Sequence, residues 1–108
     1  MELTSKQRAY LRGLASTADT VLYIGKEGIT ENVIAAANDA LEARELIKGK
    51  VQDNALLTAR EAADALQVPA RAEVVQVIGS KFVLYRRQNE ASRRRIELPE
   101  RNGKRGRR

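Results

Sequence analysis

A short apolar run, Val21-Leu22-Tyr23-Ile24, leads into Gly25-Lys26-Glu27-Gly28, and Thr30 follows where a helix should begin. Two glycines at this spacing let the backbone turn sharply and leave no Cβ in the way of an approaching phosphate. A helix starting behind such a loop presents unpaired N–H groups and the positive end of its dipole, both suited to an anion. Lys26 adds a mobile cation. The plainer reading of the same residues is a turn between a strand and a helix, and the four residues alone do not choose between the two. Mononucleotide and dinucleotide sites are weaker alternatives, because neither GxxxxGK[ST] nor GxGxxG occurs.

A second group of cations lies on predicted strands. Lys48 and Lys50 alternate with Ile47 and Val51, which gives that strand one basic face. Lys81 and Arg86 stand at the two ends of a later strand. These four could track a phosphate backbone, or simply form a solvated strand face. A GxxG loop clamping a nucleotide backbone is the device that KH domains use on RNA. Catalytic constellations are not supported. The chain has neither His nor Cys, which removes imidazole acid–base chemistry, thiolates, disulfides and the usual zinc sites. Ser5, Ser16 and Ser80 therefore lack a histidine base. The carboxylates fall mostly at solvent-like helix positions, and no pair is forced into one site. The expectation is a non-enzymatic protein with no catalytic residue, metal or cofactor.

The elements that must position these residues can be read in order. Thr4-Ser5-Lys6-Gln7 has the capping-box pattern of a helix start, followed by a stripe of Tyr10, Leu11, Leu14 and Ala15. Val21–Ile24 reads as a buried strand. Thr30 should cap a second helix that carries Val33, Ala37, Ala40 and Leu41 on one face, with Ile29 stapled onto Ile34. Leu46–Val51 is a half-exposed strand. A third helix is placed from Asp53-Asn54, with Ala59, Ala62, Ala63 and Leu66 as its stripe and Pro69 beyond its end. Val74–Ile78 and Lys81–Arg86 are two strands joined by Gly79-Ser80, a pair suited to a type II′ hairpin. The order α-β-α-β-α-β-β predicts an α/β fold with a mixed four-stranded sheet, drawn as one layer of helices on one layer of strands. Beyond Arg86 the chain is polar and Arg-rich, and most of it is expected to be disordered.

Length and charge bound the rest. The 108 residues suffice for one domain, and the 43% hydrophobic content is aliphatic, with 4% aromatic residues. The net charge of +6 favours a polyanionic partner. Its distribution is uneven: ten Lys/Arg against eleven Asp/Glu up to Tyr85, a net of −1, then ten against three from Arg86 onward, a net of +7. Basicity is thus a property of the C-terminal part, and specific recognition must come from local features of the body. Met1-Glu2-Leu3-Thr4 does not look like a signal peptide. No apolar run approaches the roughly 18 residues of a membrane span. A cytoplasmic protein is expected.

Lys6-Gln7-Arg8 with Leu11-Arg12-Gly13-Leu14-Ala15, Tyr23 to Glu31 around the GxxG loop, and Ala40-Leu41 with Arg44-Glu45-Leu46-Ile47-Lys48 and Lys50 form one pattern when taken together. They resemble the CRM (chloroplast RNA splicing and ribosome maturation) domain family, particularly its stand-alone bacterial, YhbY-like members. Val75-Gln76-Val77-Ile78-Gly79 and Val83-Leu84-Tyr85-Arg86 complete the likeness, which runs from about Thr4 to Pro99. The resemblance implies a fold similar to the C-terminal domain of translation initiation factor three; the domain is placed at residues 1–99, and residues 100–108, outside the shared pattern, are expected to be a basic, disordered tail. The resemblance also implies RNA as partner, ribosomal RNA in large-subunit precursors above all; a monomer without membrane or small-molecule ligands is expected. The RNA-contacting set would be Gly25, Lys26, Glu27, Gly28, Lys48, Lys50, Lys81 and Arg86. Intron or messenger RNA, or a protein–protein adaptor docked on ribosomes by its tail, are the alternatives. The chain departs from the family at Ser16 and Arg44, where histidine is usual, and at Gly49, where a β-branched residue is commoner and glycine should weaken the strand.

Overall fold

Among the described residues, every α-helix begins at a threonine. In a computed structural model describing residues 2–99, Thr4, Thr30 and Thr58 cap helices α1 (Ser5–Ala15), α2 (Glu31–Arg44) and α3 (Ala59–Gln67). Each hydroxyl accepts the amide three residues on: Gln7 at 3.1 Å, Val33 at 3.2 Å and Glu61 at 3.1 Å. Gln7 and Glu61 return the bond to the Thr4 and Thr58 amides, so α1 and α3 start with full capping boxes. The third helix therefore starts five residues later than the Asp53-Asn54 expectation. Asp53 and Asn54 sit instead in a turn closed by the Ala55 amide on the Gln52 carbonyl, 3.0 Å.

The strands are β1 (Thr20–Ile24), β2 (Leu46–Val51), β3 (Glu73–Ile78) and β4 (Lys81–Tyr85), in the sheet order β1-β2-β4-β3. β1 and β2 are parallel, whereas β4 runs antiparallel to both β2 and β3. The expected α-β-α-β-α-β-β order and mixed sheet are present. Because β4 lies between β2 and β3, the connection through α3 passes over a strand before β3 is laid down. Gly79 has φ +57 and Ser80 an ordinary negative φ, as the first and second positions of a type II′ hairpin require.

The drawing of a single layer of helices on the sheet is corrected by the packing. Phe82 and Leu84 of β4 join Ile24, Ile47 and Val51 against Ala37 and Leu41 of α2 and Ala59, Ala62, Ala63 and Leu66 of α3. Val83 and Tyr85, which point the other way, pack with Val75, Leu3 and the Leu11 and Ala15 side chains of α1. Both faces of the sheet are thus covered, the second one in part. The stripe of α1 is correspondingly narrow: Leu11 and Ala15 are buried, whereas Tyr10 and Leu14 are about two-fifths exposed, at 40% and 38%.

The segment after Arg86 is not disordered up to Pro99. Its anchor is Glu45, which ends α2 with φ +66 and is 1% exposed. The Glu45 carboxylate accepts the backbone N–H groups of Gln88 (2.7 Å), Arg95 (2.6 Å) and Ile96 (2.9 Å), and its carbonyl accepts that of Arg86 (2.8 Å). Gln7 Nε2 donates to the Pro99 carbonyl at 2.9 Å, and Ile96 and Leu98 pack on the α1 cluster. Buried acceptors hold this Arg-rich stretch where its own composition could not. The tail expected at 100–108 lies outside the described residues.

Gly49 is also explained by packing. It pairs across the strands with Phe82, whose ring lies over it: a Cβ at Gly49 would sit 2.6 Å from Phe82 Cε1 and 2.9 Å from Cε2. The glycine makes room for the largest side chain of its core. The Tyr85 hydroxyl, by contrast, is buried with no hydrogen-bond partner among the described residues. Burial, and second the charge of Glu45, push its pKa up to about 12, so it stays a neutral core group.

Candidate nucleic-acid interface

Ile24 is fully buried, and its carbonyl accepts the Gln52 amide at 2.8 Å, which fixes where β1 stops. Gly25 to Gly28 then close a turn, the Gly28 amide donating to the Gly25 carbonyl at 3.0 Å. Gly28 has φ +74, which a side chain would strain, and nothing lies within 4 Å of where its Cβ would be. The backbone there is open to approach. Lys26 and Glu27 are exposed at the tip. Thr30 uses its hydroxyl on Val33, and the Ile34 amide makes the first intrahelical bond to Thr30. The Glu31 and Asn32 amides are thus left outside the helical ladder, beside the loop. The Glu31 carboxylate in this first turn favours the helix but competes with any anion bound there.

Lys50 and Lys81 face each other across β2 and β4, and Lys48 stands one pleat along from Lys50, opposite Val83. All three point away from the α2/α3 core, since they alternate with Ile47, Val51 and Phe82. Among the described residues, no carboxylate pairs with Lys26, Lys48, Lys50 or Lys81. The register places Tyr23 and Ile24 beside Lys50 and Val51. The end of the sheet that carries Lys50 and Lys81 is therefore the end from which the Gly25–Gly28 loop emerges. The loop, the start of α2, Lys50 and Lys81 share one end of the sheet, the lysines on the face away from α2 and Lys48 two residues further in.

Arg86 is not brought to that edge. It lies five residues along β4 from Lys81, roughly 17 Å at about 3.3 Å per residue. Its side chain is 13% exposed, and the guanidinium donates to Asn38 Oδ1 at 2.6 Å, to the Ala70 carbonyl at 2.7 Å and to the Asn38 carbonyl at 3.1 Å, and meets Glu42 at 3.4 Å. Burial, then the neighbouring Arg71, pull its pKa below the ordinary arginine value, and Glu42 opposes them. In this structure it clamps α2 to the turn after α3. A cleft of about 370 Å³ beside it is lined by Glu42, Arg71, Glu73, Tyr85, Arg86, Arg87 and Asn89, charges of both signs.

The buried reading of Val21–Ile24 is also corrected. Leu22 and Ile24 are buried, but Tyr23 is 53% exposed, because β1 is an edge strand with its outer face uncovered at that end. A continuous apolar run carries no alternation that could have shown this.

Comparison with known proteins fits this architecture. The model of the CRS1 / YhbY (CRM) domain family matches residues 3–86. The chain is 40% identical over 97 residues to Probable RNA-binding protein YqeI of Bacillus subtilis, covering 90% of this chain and 99% of that one. It is 39% identical over 97 residues to an RNA-binding protein of Haemophilus influenzae, covering 90% and 95%. A hypothetical protein of Staphylococcus aureus, offered as RNA binding with its solution structure, superposes with a TM-score of 0.75 at 48% identity, covering 91% and 100%. With the family model matched over most of its length and the fold shared, this chain belongs to the CRS1/YhbY (CRM) domain family.

Proposed function

We propose that the protein binds RNA without catalysis, holding the phosphate backbone between the Gly25–Gly28 loop, the start of α2 and the lysines at positions 48, 50 and 81. The observation that carries this is an open glycine turn, two helix amides and lysines that no carboxylate pairs among the described residues, at one end of the sheet of a body whose net charge is near zero. That positive edge is local, so it can discriminate where a diffuse basic surface could not. The names of the relatives support RNA as the polyanion. Ribosomal RNA of large-subunit precursors in the cytoplasm is the reading that the family resemblance favours. Residues 100–108, with five Lys/Arg, would add salt-sensitive, sequence-tolerant contacts.

The test is the double variant Lys26→Asp/Glu27→Asp in the full chain. Both glycines remain, so the turn remains, while the loop charge goes from zero to −2. Acidic residues near a helix N-terminus are tolerated, and stability should change by less than about 1 kcal/mol. RNA affinity should fall more than about tenfold, or roughly 1.4 kcal/mol. Unchanged affinity with unchanged melting would rule the loop out as the clamp.

A further inference from the structure

We propose that Tyr23, Lys50, Lys81 and Ile78 form a stacking platform for unpaired nucleotides, an inference that rests on the RNA-binding reading and specifies the kind of RNA. The register sets these four side chains in one row across the whole sheet: Tyr23 on β1 beside Lys50 on β2, Lys50 opposite Lys81 on β4, and Lys81 opposite Ile78 on β3. Three strand spacings of about 4.8 Å make the row roughly 14 Å long.

The row is bare for a structural reason. α1, Leu3 and the returning segment with Ile96 and Leu98 cover the part of this face that carries Leu46, Val75, Val83 and Tyr85. They stop short of the end near the Gly25–Gly28 loop. There Tyr23 is 53% and Ile78 64% exposed. Within the fold this arrangement is unfavourable: two large apolar side chains face water, and two like charges stand directly opposite on neighbouring strands. Lys50 and Lys81 have no carboxylate beside them among the described residues. An anionic ligand with flat apolar faces answers both features at once. Nucleic acid has that chemistry, the bases lying on Tyr23 and Ile78 and the phosphates neutralising the lysine pair. A base inside a duplex is already stacked on its neighbours, so an aromatic platform selects single-stranded segments, loops or bulges. Tyr23 lies near the end of β1, two residues before Gly25 opens the loop. A strand whose phosphate sits at the loop can therefore place an adjoining base on the tyrosine.

The chain contains no tryptophan, so Tyr23→Trp installs a single fluorescent reporter at the platform. Titration of this variant with a short single-stranded oligoadenylate should quench its emission with affinity at least that of the wild type. Tyr23→Ala should lower affinity for the same oligonucleotide roughly 5- to 150-fold, the range equivalent to about 1–3 kcal/mol per stacked base. Tyr23→Phe should restore it. Because stacking involves no counterions, the salt slope of Tyr23→Ala should match the wild type, whereas Lys50→Gln/Lys81→Gln should reduce it by about 1.4. Unaltered affinity in Tyr23→Ala, or unaltered tryptophan emission at saturation, overturns the platform. If Lys26→Asp/Glu27→Asp then still abolishes binding, only the platform falls. If the wild type binds no RNA, both readings fall.

Discussion

Glu45→Ala should destabilise the protein by about 3 kcal/mol and release the segment from Arg87 to Pro99. The carboxylate of Glu45 accepts three backbone N–H groups from that segment in a site 1% exposed. Hydrogen bonds to a charged acceptor contribute about 1.5–3 kcal/mol each, and a buried donor left without one costs a further 1–3 kcal/mol. Detachment of the segment into water limits the loss, which is why the expected value is well below the sum. Urea unfolding measures the global term, and hydrogen exchange at the Gln88, Arg95 and Ile96 amides measures the local one. Protection lost at these three, with the sheet amides still slow, is the expected pattern. A change under about 1 kcal/mol with protection intact would mean that apolar contacts of Ile96 and Leu98 hold the segment instead.

Gly49→Val should cost about 3 kcal/mol or more, although valine is the better strand former. The substitution drives a branched side chain into the Phe82 ring, which is fully buried and cannot swing into solvent. Overpacking of this kind costs typically 1–3 kcal/mol, and more where the obstacle is rigid. Phe82→Ala alone should cost about 3–5 kcal/mol by leaving a cavity. Combined, the two should cost at least about 1 kcal/mol less than their sum, since each relieves the other. Additive costs, read from denaturant midpoints of the four proteins in the cycle, would contradict the packing account.

Both residues show where the sequence was legible and where it was not. Local chemistry was readable: Thr4 and Thr30 cap the helices that follow them, and Gly79-Ser80 has one dominant use between two strands. The start of α3 was misread because Asp53-Asn54 and Thr58 both look like caps, and only Thr58 is followed three residues on by a glutamate. Long-range features had no local signal. Phe82-Val83-Leu84-Tyr85 is apolar at every position, the mark of a strand buried on both sides. Nothing in that run says what covers the second face. Glu45 looks like an ordinary helix-end carboxylate until residues 88–96 are folded against it. Gly49 looks like a weak strand position until Phe82 is placed over it.

The candidate site divides in the same way. The loop and the alternating lysines follow from spacing alone, and pairing Lys50 with Lys81 needs only the register. Arg86 fits the same pattern of charge on a strand, yet its guanidinium is enclosed by Asn38, Ala70 and Glu42. Charge at a strand end does not reveal which cations are already engaged. Tyr23 was hidden for the opposite reason, because an apolar residue in an apolar run gives no sign that one face is bare.

Chemical-shift mapping of the isotope-labelled full chain, titrated with single-stranded RNA, measures residue by residue where RNA touches the protein. The predicted result is perturbation concentrated at the amides of Gly25 to Gly28, Glu31 and Asn32, with Lys48, Lys50 and Lys81 as its continuation across the sheet. Perturbation centred on Arg71, Arg87 and Asn89, around the cleft at the opposite end, with the loop amides unmoved, would contradict it.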